Sequence, residues 1–176
     1  MLCPSCGSEN TEGADLCQRC QHSLTDMSRP SPPSQVERDL LQDRIEILKP
    51  RQPITVMPAT AVNEALRRMI AGSQGCVMVV DHDDGAGDEV VGIFTERDAL
   101  LKLNFDTGRG EEEPISSVMT ANPIMLEAKN KIAYALHKMD VGGYRHVPIL
   151  TEGKLTGIIS IRDILGYLTQ RIELQN

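Results

Sequence analysis

The chain has 176 residues, a formal net charge of −7 at pH 7 and an apolar content of 40%. That length suits one ordinary domain with a small appendage, and the apolar content is enough for a core. No run approaches the ~20 apolar residues that a membrane-spanning helix needs, so we expect no membrane association.

Four cysteines near the start of the chain form two Cys-x-x-Cys pairs: Cys3, Cys6, Cys17 and Cys20. Two such pairs supply four thiolates on tight turns, which suits tetrahedral zinc in a closed structural site, although iron can also occupy four thiolates. A disulfide pair is the alternative, but it needs an oxidising compartment, and no charged or apolar signal region precedes the cysteines. We therefore expect a cytoplasmic protein with reduced thiols. Residues 1–25 resemble the short zinc ribbon at the start of many bacterial proteins.

The charge of the first 30 residues bears on whether this ribbon binds nucleic acid, as zinc ribbons often do. The segment holds two arginines against four carboxylates, and four thiolates on a zinc ion would leave a further net charge of about −2. Phosphate backbones would be repelled, and no aromatic side chain is present to stack on bases. We therefore expect the ribbon to dock a protein, with nucleic-acid binding as a minority alternative.

A Pro- and Ser-rich linker follows at residues 26–35, because its composition suits neither a helix nor a central strand. Residues 36–50 come next as a lead-in segment, with a continuous helix predicted from Val36 to Leu48. Its apolar face carries Leu41, Ile45 and Leu48. We expect this face to pack on the domain that follows, and pairing with a second chain is the alternative.

Two nearly matching segments, 92–100 and 157–165, show that the rest of the chain contains a duplication. In each, an apolar strand leads to a hydroxyl residue, Thr95 or Ser160, and an amphipathic helix follows. Asp98 or Asp163, three positions after the hydroxyl, can close a capping box worth about 1 kcal/mol to the helix. A helix N-terminus with free N–H groups is also an anion site, so a cap and a ligand site are both open interpretations.

The duplication extends backwards along the chain. Pro53–Val56 and Pro123–Leu126 match as short strands, and each precedes a helix with apolar residues at i, i+4 and i+7. Each copy therefore reads β-α-β-β-α, over residues 51–108 and 109–176. Its remaining strands are predicted at Cys76–Val80, Val90–Phe94, His146–Leu150 and Leu155–Ile159. We expect Met69, Met139 and Cys76 to be buried.

These features resemble those of tandem CBS domains, a pair often called a Bateman module. The resemblance covers residues 45–172 and rests on the paired Gly-x-x-[Ser/Thr]-x-x-Asp motifs, on Ser117–Thr120 and on Gly143–Pro148. It implies an α/β (α+β) fold in which the two repeats pack sheet to sheet about a pseudo-twofold axis. It also implies a non-catalytic module, usually dimeric, whose two clefts often hold AMP, ADP, ATP or S-adenosylmethionine.

The resemblance also implies ligand contacts for particular residues. Asp98 and Asp163 would accept from ribose hydroxyls, each in its own cleft, and Thr95 and Ser160 would hold phosphate or ribose oxygen. Arg145 and His146 would reach phosphates in the cleft of Ser160 and Asp163, with Arg162 as a further cation. The adenine would be bordered or stacked by Ile54, Thr55, Ile124, Met125 and Tyr144. The first copy has Cys76 and Val77 in place of Arg145 and His146, so we expect unequal clefts.

An enzyme is disfavoured, because the four histidines fall in unrelated contexts and no Ser or Cys nucleophile has a recognisable elbow. We expect a regulatory sensor that binds an adenosine-containing nucleotide between its repeats and signals to an unidentified protein partner, in a homodimer. The alternative is a ligand-free dimeric adaptor in which both motifs are only helix caps.

Overall fold

A computed structural model describes residues 3, 6–11, 13–24, 34–83, 87–103 and 112–174. The chain divides into two compact units, Met1–Glu37 and Arg38–Asn176. Most of the linker predicted at 26–35 lies outside the described residues, which resume at 34. None of the described helices combines the length and the apolar character that crossing a bilayer requires.

The first unit is small and is built around its cysteines. Cys3, Cys17 and Leu24 form its buried centre, and Cys6 and Ala14 pack against them. The chain turns back across the second cysteine pair, where a backbone hydrogen bond of 2.8 Å runs from the Cys17 N–H to the carbonyl of His22. So small a centre buries little apolar surface, which is why such a unit usually depends on a metal or on disulfides.

The lead-in segment of the chain is not the continuous helix that the sequence predicts. Helix α1 (Gln35–Gln42) ends early, and a short 3-10 turn follows at Ile45–Leu48. Tertiary contacts cause the break, because the carboxylate of Asp43 accepts from Tyr167 and Arg171 and the Ile45 N–H donates to the carbonyl of Asn130. The packing expectation is confirmed for Ile45 and Leu48, which pack in the core of the second copy, whereas Leu41 is exposed.

The rest of the second unit repeats one order of elements, β-α-β-β-α, as predicted. The first copy contains β1 (Thr55–Val56), α2 (Val62–Ala71), β2 (Cys76–Asp83), β3 (Gly87–Thr95) and α3 (Glu96–Lys102). A 3-10 turn (Ile115–Ser117) and a strand that was not predicted, β4 (Thr120–Ala121), join the copies. The second copy contains β5 (Leu126–Glu127), α4 (Ile132–Gly142), β6 (His146–Thr151), β7 (Lys154–Ser160) and α5 (Ile161–Glu173).

Strand lengths differ from the predicted ones for reasons of backbone pairing. The hairpin of β2 and β3 pairs through Asp81 and Glu89, beyond the apolar run, because backbone hydrogen bonds do not require apolar side chains. The first strand of each copy is only two residues long and begins after the proline that opens each predicted segment, Pro53 or Pro123.

The strands form two sheets that pack against each other. One sheet has the order β1-β2-β3-β4 and the other β5-β6-β7, with the first pair in each parallel and the other pairs antiparallel. Cys76, Met78 and Ile93 of the first sheet are buried in one cluster with Ile158 of the second. Helices cover the outer faces, and Met69 and Met139 lie in the two outer cores, so their predicted burial and that of Cys76 are confirmed.

Candidate functional site

Both repeated motifs form the capping box that the sequence predicts. Asp98 Oδ2 accepts from the N–H of Thr95 at 3.0 Å and from its hydroxyl at 2.7 Å, and the Asp98 N–H donates back to Thr95 Oγ1 at 3.3 Å. Asp163 Oδ2 likewise accepts from the N–H of Ser160 at 2.6 Å and from its hydroxyl at 2.7 Å. Each cap therefore occupies one carboxylate oxygen, Oδ2, and leaves Oδ1 outside the capping box.

Each motif aspartate also receives a donor from the segment that precedes the other copy. Thr120 in β4 pairs with Ile93 of β3, and its hydroxyl donates to Asp98 Oδ1 at 3.2 Å. Arg51 forms a backbone bridge with Ile158 of β7, and its Nη2 lies 3.5 Å from Asp163 Oδ2. Sequence reasoning missed both residues. Their position just before the matched Pro-Ile segments was the available signal, but only folding brings each one to the opposite copy.

A cavity of about 260 Å³ lies between the two copies. It brings Thr95 and Asp98 of the first copy together with Tyr144, Arg145 and His146 of the second. Its other walls are Ile93, Glu96, Arg97, Leu101, Thr120, Pro123, Ile124, Gly142 and Gly143. Helix α4 ends at Gly142 and is capped by Gly143, whose φ of 64° suits a residue without Cβ, and this turn directs the next residues into the cavity.

The cavity thus brings Arg145 and His146 to the motif of the first copy, whereas the sequence grouped them with Ser160 and Asp163. The copies face each other, so the start of β6 lies beside the N-terminus of α3, where Glu96 Oε2 is 4.0 Å from His146 Nδ1. Residues of the second copy that were expected to reach a phosphate thus face the motif of the first copy. Ser160 is buried, and Asp163 and Arg162 line a separate groove of about 470 Å³ with Lys49 and residues of α5.

Three predicted adenine contacts do not line the cavity. Ile54 packs beside Gly72 and against the core of the first copy, and Thr55 pairs with Met78. Met125 precedes β5 without reaching the cavity wall. Ile124 and Tyr144 do line it, and the ring of Tyr144 lies over Gly142, where a Cβ would come within 2.0 Å of a ring carbon.

The cavity combines charges of both signs. Arg97 and Arg145 are exposed at its wall, and neither forms an ion pair within the described residues. Burial raises the pKa of Asp98, but hydrogen bonds from Lys102 and Thr95 outweigh this and lower it, so the group is a carboxylate at neutral pH. Burial lowers the pKa of His146, against the opposing effect of Glu96, and its buried Nδ1 has no hydrogen-bond partner among the described residues. A ligand could supply that partner.

The four N-terminal cysteines form the second candidate site. Their sulfur atoms all lie within 4.8 Å of one another, with Cys3 and Cys20 at 3.6 Å and Cys6 and Cys17 at 3.7 Å. A tetrahedral ion with bonds of about 2.3 Å to sulfur needs neighbouring sulfurs about 3.8 Å apart, so the donor set fits. Ser8 Oγ lies 3.2 Å from Cys17 Sγ, and its hydrogen bond lowers the pKa of Cys17 to about 5, which favours the thiolate. The four side chains could therefore hold a metal ion.

Comparison with known proteins agrees with this architecture. The family model described as "CBS domain" matches residues 46–104 and 115–170. A CBS domain-containing protein of Arabidopsis thaliana is 32% identical over 120 residues, which are 68% of this chain and 21% of that protein. The chain thus spans about a fifth of the length of this relative.

Two solved structures show the same fold. The crystal structure of a CBS-domain containing protein from Agrobacterium tumefaciens is 32% identical, has a TM-score of 0.64, and the match covers 71% of this chain and 98% of that one. A CBS domain protein from Pyrobaculum aerophilum, complexed with AMP, is 23% identical with a TM-score of 0.61, covering 73% and 98%. The duplicated β-α-β-β-α unit, the two packed sheets and these matches together show that the chain belongs to the CBS domain family, with two CBS domains in tandem.

Proposed function

We propose that the chain is a non-catalytic, cytoplasmic sensor that binds an adenosine-containing nucleotide in the cavity between its two CBS domains. One observation carries this proposal. A single cavity is lined by the carboxylate of Asp98, by the ring of Tyr144 and by two arginines, Arg97 and Arg145, which form no ion pair within the described residues. A nucleotide needs such a set, because its ribose donates hydrogen bonds, its base stacks and its phosphate carries negative charge.

The arrangement suggests how such a ligand would lie. The base would rest between Tyr144 and Ile124, and the ribose would approach Asp98. The phosphate would meet Arg145 and Arg97, because a guanidinium group can bind phosphate oxygens bidentately. The cavity of about 260 Å³ is small for a ligand site, which favours a monophosphate over a triphosphate. The AMP bound to the Pyrobaculum aerophilum protein supports the same class of ligand.

The lead-in segment offers a route from ligand occupancy to an unidentified partner protein. Arg171 of α5 contacts Asp43 at 2.7 Å and Asp39 at 3.5 Å, so the end of α1 is fixed to the helix that begins with the second motif. A ligand that binds more tightly to one relative position of the two copies would shift the equilibrium towards that position and so change this contact. The free energy of that shift cannot exceed the difference in the ligand's binding free energy between the two states. Exposed leucines on the two motif helices, Leu100, Leu101 and Leu165, support a homodimer.

We further propose that the four cysteines bind a structural zinc ion. The described residues of the first unit form no other core of useful size, and four thiolates leave no open position for a substrate. The unit would then present a rigid surface to a protein partner.

The test is thermal unfolding of the full chain with AMP, ADP, ATP, S-adenosylmethionine and NAD, each at about 1 mM. A ligand at 100 times its Kd adds ~2.7 kcal/mol, a clear rise in melting temperature. Arg145→Gln should abolish most of the rise for a phosphorylated ligand, while Arg67→Gln, which removes an exposed arginine outside the cavity, should leave it unchanged. No rise with any compound would contradict the sensor and favour the ligand-free adaptor.

A further inference from the structure

The hydrogen-bonding capacity of Asp98 is already filled in this structure. Its Oδ2 accepts twice from Thr95, and its Oδ1 accepts from Thr120 at 3.2 Å and from the ammonium of Lys102 at 2.8 Å. An ionised carboxylate offers about four acceptor positions, so no position is left for a ribose hydroxyl. A sugar can reach Asp98 only by displacing one of these donors.

The equivalent aspartate of the second copy, Asp163, does not have all its acceptor positions occupied. Tyr167 stands where the 65-residue offset places the equivalent of Lys102, and its hydroxyl donates to Asp43 at 2.7 Å, away from the motif. Within the described residues, Asp163 receives donors only at Oδ2, and its Oδ1 accepts none. The two motif aspartates therefore have the same cap but different free capacity.

Lys102 also ties α3 to the segment between the copies. Its Nζ donates to the carbonyl of Val118 at 2.7 Å and lies 3.4 Å from that of Met119, just before β4. The side chain is 40% exposed, so its ammonium can move to water without leaving a buried charge. Lys102 is thus a donor that a ligand could displace.

We propose that Lys102 sets the ribose affinity of the cavity, because its ammonium competes with the ribose diol for Asp98 Oδ1. This inference rests on the proposed nucleotide function and adds a specificity-determining residue to it. A nucleotide that binds through its base and phosphate leaves Lys102 in place. One that also engages Asp98 releases Lys102 and, with it, the tie to Val118 and Met119.

The test compares adenosine with 2′,3′-dideoxyadenosine, which lacks the diol, by calorimetric titration of the full chain. In the unaltered protein the two should bind nearly equally. In Lys102→Met, adenosine should bind roughly tenfold more tightly while dideoxyadenosine is unchanged, since an added hydrogen bond to a charged group is worth at least that factor. A merely structural role for Lys102 would change both affinities together and leave their ratio constant.

Three further variants keep the result decisive. Thr120→Val removes the other donor to Oδ1 without touching the ties to Val118 and Met119, and it should shift the ratio in the same direction even if Lys102→Met folds poorly. Lys154→Met, in the exposed hairpin of the second copy, makes the same charge change and should not shift it. Loss of nucleoside binding in Tyr144→Ala would show that the nucleosides bind in the cavity.

Failure of the role of Lys102 and failure of the proposed nucleotide function would give different results. A ratio of adenosine to dideoxyadenosine affinity that is unchanged in folded Lys102→Met, or in Thr120→Val where Lys102→Met does not fold, overturns the role of Lys102, while the proposed nucleotide function stands. No binding of either nucleoside to any variant, together with no response to the nucleotides, overturns the proposed function and this inference with it.

Discussion

Arg51 and Asp163 lie 112 residues apart in the chain, and the Arg51 Nη2 is 3.5 Å from Asp163 Oδ2. Their counterpart in the other half of the domain is the pair of Thr120 and Asp98, at 3.2 Å. In both cases the residue that precedes one copy reaches the motif aspartate of the other copy. The two CBS domains are therefore joined at each motif by side chains as well as by their packed sheets.

We expect Arg51→Gln to lower the free energy of unfolding by only about 0.5 kcal/mol. The Arg51 side chain is 46% exposed, and partly exposed ion pairs contribute little because solvent screens them. Urea unfolding of the full chain measures the change. Arg44→Gln, which removes a still more exposed pair with Glu46 at 3.6 Å, is the matched control and should change less. A loss of more than about 2 kcal/mol for Arg51→Gln would show that this contact stabilises the fold more than a partly exposed ion pair does.

Tyr167→Phe should lower the free energy of unfolding by about 1–2 kcal/mol at pH 8, because it removes the hydrogen bond of 2.7 Å to the charged Asp43. Burial, together with the neighbouring Asp43, raises the pKa of Tyr167 to about 12, above the value near 10 in an unfolded chain. The folded state therefore holds this proton more tightly. The resulting stability is complete below pH ~10 and is lost as the pH rises towards about 12.

The difference between the two proteins should therefore shrink as urea unfolding is repeated from pH 8 to pH 11. Tyr134→Phe is the matched control, because Tyr134 is exposed, with its ring under Lys138. A difference for Tyr167→Phe that is constant over this range would contradict the raised pKa.

The purified full chain should contain one zinc ion per molecule by elemental analysis, and Cys17→Ser should lose it. Cys17 is fully buried at the centre of the cluster, so the variant removes a ligand that no nearby described side chain replaces. Unfolding of the CBS domains should be unchanged, since they form a separate compact unit. Bound iron in place of zinc would give an absorption band in the visible range, and a protein without metal would contradict the site.

Gly142→Ala should weaken nucleotide binding without unfolding the protein. The added Cβ would lie 2.0 Å from the ring of Tyr144, and the ring, which is 41% exposed, can move outwards but would then leave the cavity wall. Thermal shift with the best ligand measures the loss. Gly166→Ala is the control, because nothing lies within 4 Å of its Cβ in α5, and it should keep binding and gain up to about 1 kcal/mol of stability. Equal binding by both variants would contradict a role for Tyr144.

Local sequence patterns determined much of this protein. The period of apolar residues, the two hydroxyl-x-x-Asp motifs and the internal repeat predict the order of elements and both capping boxes, because these depend on interactions within a few residues. The spacing of the cysteines likewise predicts the cluster of four sulfurs.

The tertiary structure alone decided which residues meet between the copies. The sequence grouped Arg145 and His146 with the motif of their own repeat, but the pseudo-twofold arrangement turns them towards Thr95 and Asp98. The break of the lead-in helix at Asp43 and the contacts of Arg51, Lys102 and Thr120 have the same origin. Such contacts depend on how two separately formed sheets pack, and no local pattern of side chains encodes that relationship.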